Sequence, residues 1–205
     1  MHPTSETPSW VTEYSKRLEE EKALLLRRMD LPRHALAQLS SQSSTVVMQA
    51  ITEPFGILVL SGDPGCGKTF AAVKWIVDYV NDDVHWPTPG SAVQLKGRHP
   101  VFVTAAALAR WDRYEQEPMA KLLRAPRLAI DDLGAEYLDK NGFYAALLDE
   151  VLNERYAARV PTLLTTNLPV DEFKSRYGER IAGRIRETGT FVACGGVDLR
   201  RRVGI

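Results

Sequence analysis

The chain predicts an α/β fold in which a parallel sheet carries helices on both faces. Two observations support this. Between Ile57 and Cys194, short apolar runs alternate with longer segments of helical periodicity, and strands alternating with helices build a parallel sheet covered on both sides. The first apolar run, Ile57-Leu58-Val59-Leu60, leads directly into Gly62-Asp63-Pro64-Gly65-Cys66-Gly67-Lys68-Thr69. That octet fits the phosphate-binding pattern G-x-x-x-x-G-K-[ST] at every fixed position, and a helical pattern from Phe70 to Val80 follows it.

Residues 1–9 are polar and Pro-bearing and are expected to be loose. Trp10 to Met29 reads as a helix with Val11, Tyr14, Leu18 and Leu25 on roughly one face. Pro32 breaks that pattern; a second helix is expected through Leu39, before the Ser-rich stretch Ser40–Ser44. Val46 to Ile51 suits a third, short helix leading into the first strand. This gives a helical N-terminal extension over 1–44, a candidate partner-docking segment, and a core over 45–205. Beyond the Phe70–Val80 helix, Asp83 to Pro100 is rich in Pro and Gly without periodicity and predicts a long surface loop. Further strands are expected at Val101–Thr104, Arg127–Asp131, Thr162–Thr165 and Thr190–Cys194. Helical patterns at Ala105–Arg113, Phe143–Ala158 and Tyr177–Glu187 separate them.

Composition narrows the class of protein. A chain of 205 residues suits one domain with an appendage. Lys+Arg 26 balances Asp+Glu 26, so overall charge makes no case for nucleic acid. The distribution is uneven. From Lys174 onward Lys174, Arg176, Arg180, Arg184, Arg186, Arg200, Arg201 and Arg202 face only Glu179, Glu187 and Asp198, and basic clusters meet phosphates or acidic partners. Two cysteines, Cys66 and Cys194, make neither a disulfide framework nor a metal spacing. No apolar stretch is long enough for a bilayer and the N-terminus is too polar for a secretory signal, so a cytoplasmic protein is expected.

The phosphate loop has a chemical logic. Its glycines let several backbone N–H groups turn toward phosphate oxygens. Lys68 places an ammonium against the β- and γ-phosphates, and the Thr69 hydroxyl can ligate Mg²⁺. Phe70 opens the body of the following helix, whose positive dipole end faces the phosphates. Gly62, Asp63, Pro64, Gly65, Cys66, Gly67, Lys68, Thr69 and Phe70 are therefore the candidate nucleotide contacts.

In a parallel sheet, ligands collect at the carboxyl ends of the strands, so the residues just after each strand matter most. The third strand ends in Ala129-Ile130-Asp131-Asp132-Leu133-Gly134. Asp131 stands where it can hold Mg²⁺ opposite Thr69. Asp132 lies one residue nearer the γ-phosphate and can polarise an attacking water, or can simply cap the next helix. After the fourth strand, Leu164-Thr165-Thr166-Asn167-Leu168 sets an amide at the tip. Asn167 can bond the lytic water or a γ-oxygen, or serve as an ordinary turn residue before Leu-Pro.

The series GDPGCGKT, AIDDLG, LTTNL and RYGERIAGRIRE resembles the AAA+ ATPases of the DnaC/IstB group, over roughly residues 45 to 202. The resemblance implies a P-loop core with sheet order 5-1-4-3-2 and ATP with Mg²⁺ bound and hydrolysed between neighbouring subunits of a homo-oligomer. It implies the sensor-1 role for Asn167. Arg184 best matches the arginine that reaches a neighbour's γ-phosphate, with Arg180 competing on the same helical face, and Arg200 falls at the sensor-2 position. The implied partner is a replicative DNA helicase, which the protein would load; a transposase is the alternative. Single-stranded DNA is expected along the assembly's inner face. Trp111, Arg113, Tyr114, Lys121 and Arg124 combine the aromatic and basic groups that suit it, although Trp111 can equally pack a helix onto the sheet. Two features depart from the group. The part before the core is short for a full helicase-docking domain, and the acid pair is Asp-Asp where many AAA+ proteins have Asp-Glu. The shorter side chain favours a slow switch over a motor.

Two readings from other classes compete. Asp131-Asp132-Leu133-Gly134 also spells D-x-x-G of a GTPase, but Asn167-Leu168-Pro169-Val170-Asp171 does not supply the N-K-x-D guanine reader. A small-molecule kinase would explain the phosphate loop and the arginine-rich helix while leaving Asp132 and Asn167 without a task.

Overall fold

Five short runs rich in Val, Ile, Leu and Thr make the strands β1 (Ile57–Ser61), β2 (Val101–Thr104), β3 (Leu128–Leu133), β4 (Thr162–Thr166) and β5 (Thr190–Ala193). They pair in parallel in the order β2-β3-β4-β1-β5. Read from the other edge, this is the 5-1-4-3-2 order that the resemblance implies. The computed structural model describes residues 8–37, 39, 46–52, 55–82, 98–111, 116–136 and 142–195.

The central strands read as continuous apolar runs because both faces of the sheet are covered. Ile57 and Val59 of β1 join Leu128, Ile130 and Leu164 on one face, while Leu58 and Leu60 join Ala129 and Leu163 on the other. The second face is covered chiefly by α4 (Lys68–Asn81), with α2 (Arg33–Leu36) and α3 (Val46–Thr52) beside it. The first face is covered by α5 (Ala105–Leu108), α6 (Gln116–Arg124), α7 (Phe143–Ala157), α8 (Val170–Tyr177) and α9 (Glu179–Thr188). The N-terminal helix α1 (Ser9–Arg28) buries Tyr14 and Leu18. Its Lys22 ammonium donates to the Asn81 carbonyl at 2.9 Å, a cation closing the C-terminus of α4.

Among the described residues Arg155 of α7 is the largest fully buried side chain, and it donates to neutral acceptors. It donates to Leu122 O, Ala125 O and Pro161 O, each at 2.7 Å, and to Thr162 Oγ1 at 2.8 Å. Burial lowers its pKa to about 10, so the guanidinium stays charged at neutral pH. The side chain pins the end of α6 and the start of β4 onto α7.

The structure departs from the sequence expectations at four places. The helix expected over Ala105–Arg113 ends at Leu108, its start capped by Thr104 Oγ1 accepting from Ala107 N. A helix not foreseen, α6, follows; Pro118 falls in its first turn, where a missing N–H costs nothing. The helix expected over Tyr177–Glu187 is found as α9, and the helix before it, α8, was not foreseen; the two part at Gly178 with φ +89° and ψ 165°. The helix expected through Leu39 stops at Leu36. Residues 83–97 of the Asp83–Pro100 loop and the whole Ser40–Ser44 stretch lie outside the described residues. Among the described residues no helix is long and apolar enough to cross a membrane.

Candidate nucleotide site

Over the carboxyl ends of the strands opens a cleft of about 460 Å³, within the usual size of small-ligand sites. Its floor is the loop between β1 and α4. Gly62 leaves β1 with φ +151°, and a Cβ there would lie 2.0 Å from the Cys194 carbonyl oxygen, so β5 admits only glycine at this point. Gly65 and Gly67 carry φ +91° and +95°, which curls the loop ahead of the α4 N-terminus. The Lys68 ammonium lies inside the curl, donating to Gly62 O at 2.6 Å and Asp63 O at 2.9 Å, with Cys66 Sγ 3.4 Å away. Phe70 lines the cleft from the first turn of the helix.

The acids stand opposite. Thr69 Oγ1 lies 3.1 Å from both carboxylate oxygens of Asp131, and Thr165 Oγ1 donates to Asp131 Oδ1 at 2.6 Å. Burial raises the Asp131 pKa, with the Thr165 and Thr69 hydroxyls pulling it the other way. A half-compensated carboxylate beside a hydroxyl, facing a cleft, fits a divalent cation carried in by phosphates. Among the described residues no cluster of three or more His, Cys, Asp or Glu could hold a metal alone, so phosphate oxygens and water would complete the coordination.

Asp132 is exposed and carries φ +63°, a left-handed conformation unusual for a residue with a side chain. The β3–β4 register shifts between Ile130 and Leu133, and Asp132 N donates to Thr165 Oγ1 at 2.8 Å. The bulge turns the carboxylate toward the cleft instead of along the strand. Asn167 Nδ2 lies 3.4 Å from Asp132 Oδ1, a long contact that puts the amide and the second acid side by side. Thr165 therefore touches both acids. No motif marks it, because a threonine inside a strand looks like ordinary β propensity. Pro32 and His34, at the start of α2, also line the cleft; they are remote in sequence and no motif marks them.

The arginines lie on α9, away from the cleft lining. Arg184 is tied within its own chain, donating to Asp149 Oδ1 and, at 2.8 Å, to Asn153 Oδ1 of α7. Arg180 has a side chain 78% exposed and only a 3.4 Å approach to Asp149 Oδ2. Arg186 pairs with Glu179 at 3.2 Å. Trp111 packs against the core below α5, while Lys121 and Arg124 stand on α6. Arg113, Tyr114 and Arg200 lie outside the described residues.

A parallel sheet in this order, with its phosphate loop after β1 and an acid pair closing β3, is the AAA+ class of P-loop nucleotide-binding fold. Residues 27–185 match the model for the IstB-like ATP binding proteins, and the chain belongs to that family. Among solved structures it resembles the DnaC helicase loader, with 21% identity over 77% of this chain and 96% of that one and a TM-score of 0.58. It also resembles DnaI, with 20% identity over 84% of this chain and 95% of that one and a TM-score of 0.60. The replication initiator DnaA, bound to AMPPCP and single-stranded DNA, aligns at 14% identity over 74% of this chain and 44% of that one, with a TM-score of 0.56. At these identities the likeness is one of fold. Among curated proteins none matches.

Proposed function

We propose that the protein is a slow ATPase switch that couples Mg·ATP to its grip on a protein partner at DNA, most simply as a loader of a replicative helicase. The observation that carries this reading is the facing of Thr69 Oγ1 and the Asp131 carboxylate at 3.1 Å, with Asp132 and Asn167 adjoining. Lys68 and the loop N–H groups would hold the phosphates, and Thr69 and Asp131 the Mg²⁺, which supplies charge neutralisation. Asp132 would take the proton of the attacking water, and Asn167 would orient that water or a γ-oxygen.

Among the described residues no arginine lines the cleft, so a neighbouring copy would supply one in a homo-oligomer. Arg180 suits this role by exposure, whereas Arg184 would first have to leave Asp149 and Asn153. The basic α6 residues Lys121 and Arg124 would add weak, salt-sensitive contacts to single-stranded DNA. A transposase as partner is the second reading, which the resemblance to the DnaC/IstB group equally implies.

Two measurements test the proposal. Hydrolysis of ATP but not GTP, lost together with tight nucleotide binding in Lys68→Ala, supports the ATPase; unchanged nucleotide affinity in that variant would remove its basis. For the partner, pull-down with purified replicative helicase and with purified transposase, each with and without a non-hydrolysable ATP analogue, separates the two readings.

A further inference from the structure

Glu136 lies just past the acid pair, in the turn that leaves β3, and is only 4% exposed. Its carboxylate accepts four hydrogen bonds. Oε2 takes the Gly134 N–H at 2.7 Å. Oε1 takes Arg176 Nε at 3.1 Å, Arg176 Nη2 at 3.0 Å and the Tyr177 hydroxyl at 2.7 Å. Arg176 Nη2 also donates to the Glu136 carbonyl at 2.8 Å. A buried ion pair is poor evidence of stabilisation, because well-packed apolar residues often serve as well. What this carboxylate holds is therefore more informative than how strongly it binds.

It holds the turn that bears Asp132. That turn is irregular, with a shifted register and a left-handed Asp132, and such a backbone persists only where its surroundings fix it. Two of its anchors come from β4: Thr165 Oγ1 accepts from Asp132 N, and Thr166 Oγ1 donates to Leu133 O at 2.7 Å. A third is Glu136 on Gly134, which ties the turn to Arg176 and Tyr177 at the end of α8. Gly134 is also packed against Leu168 so closely that a Cβ would lie 3.0 Å from Leu168 Cγ, so the turn has little room to shift without moving the segment that carries Asn167.

We propose that Glu136 is a positioning residue for hydrolysis, holding the Asp132 turn in its bulged geometry and fastening it to α8 through Arg176 and Tyr177. This rests on the ATPase reading above. It also links the site to α9, the helix of Arg180 and Arg184, which begins directly after Tyr177 and Gly178.

The test is a double-mutant cycle in steady-state ATP hydrolysis, with Mg·ATP affinity measured separately. Glu136→Gln keeps the shape but loses the charge that gathers the four donors. It should lower kcat about tenfold, as coupled neighbours do, and leave the Mg·ATP Kd within about twofold. If Glu136 acts through Asp132, the same change made in an Asp132→Asn background should cost less than about twofold further. Tyr177→Phe removes one donor and should repeat the pattern at smaller amplitude; it decides the matter if Glu136→Gln does not fold. Equal losses in both backgrounds, an unchanged kcat, or a raised KM with kcat intact would overturn the proposal. A parent protein that hydrolyses no ATP overturns the ATPase reading itself, and the role of Glu136 with it; an active parent with unresponsive variants overturns only the inference.

Discussion

Asp131 sits where its charge is costly. Burial pushes its carboxyl above the ordinary carboxylate range, and two threonine hydroxyls compensate only in part. A raised pKa means that the folded protein binds this proton more tightly than the unfolded chain does. The contribution to stability is therefore full below the unfolded pKa of about 4 and is lost as pH rises through the folded value. At neutral pH the nucleotide-free protein carries that strain, and a divalent cation bound there would relieve it. Asp131→Asn should therefore melt higher than the parent near neutral pH, by about 2–4 °C for each kcal/mol regained, and the gap should close toward about pH 4. The same variant should lose the extra stabilisation that Mg²⁺ adds to bound ATP. Thermal melting across pH, with and without Mg·ATP, checks both; a variant that melts lower than the parent at neutral pH would contradict the account.

Among the elements, α7 shows how the scaffold is held. Arg155 reaches from this helix to the carbonyls that end α6 and precede β4. Arg155→Ala should leave those buried acceptors unpaired and cost about 3 kcal/mol or more, read from urea unfolding, because each unsatisfied buried group costs about 1–3 kcal/mol. Arg155→Lys should recover only part, since one ammonium cannot span the same fork. The strands were legible within two residues at each end, because a buried parallel strand is an uninterrupted apolar run and the phosphate loop fixes the first of them. The helices beyond β2 were less so. Pro118 disguised the start of α6, and only the backbone of Gly178, not its presence, parts α8 from α9. At the site, residues with a motif were visible: Lys68, Thr69, Asp131, Asp132 and Asn167. Thr165, Glu136 and His34 were not, because contacts across the fold that no local pattern encodes are what bring them to it.

For the whole molecule, the question is whether the catalytic site is completed by a second copy. Arg180 is exposed on α9, while Arg184 is occupied by α7. If Arg180 serves in trans, Arg180→Ala should bind ATP yet hydrolyse it poorly. A Lys68→Ala subunit offers a finger without a usable pocket. Mixing the two inactive proteins should restore part of the activity, and an arginine finger worth about 10³–10⁵ in rate makes even sparse mixed interfaces visible. No recovery on mixing, with both variants still assembling, would return the role to Arg184, tested in the same way.

Whether the cleft hydrolyses ATP with Asp132 as the group that activates water is read from single-turnover hydrolysis in Asp132→Asn alongside its Mg·ATP affinity. The account predicts binding close to the parent and hydrolysis slower by about 10²–10⁴-fold, the usual contribution of a general base. Hydrolysis at the parent rate would show that Asp132 is no more than a turn residue and that the water is activated elsewhere.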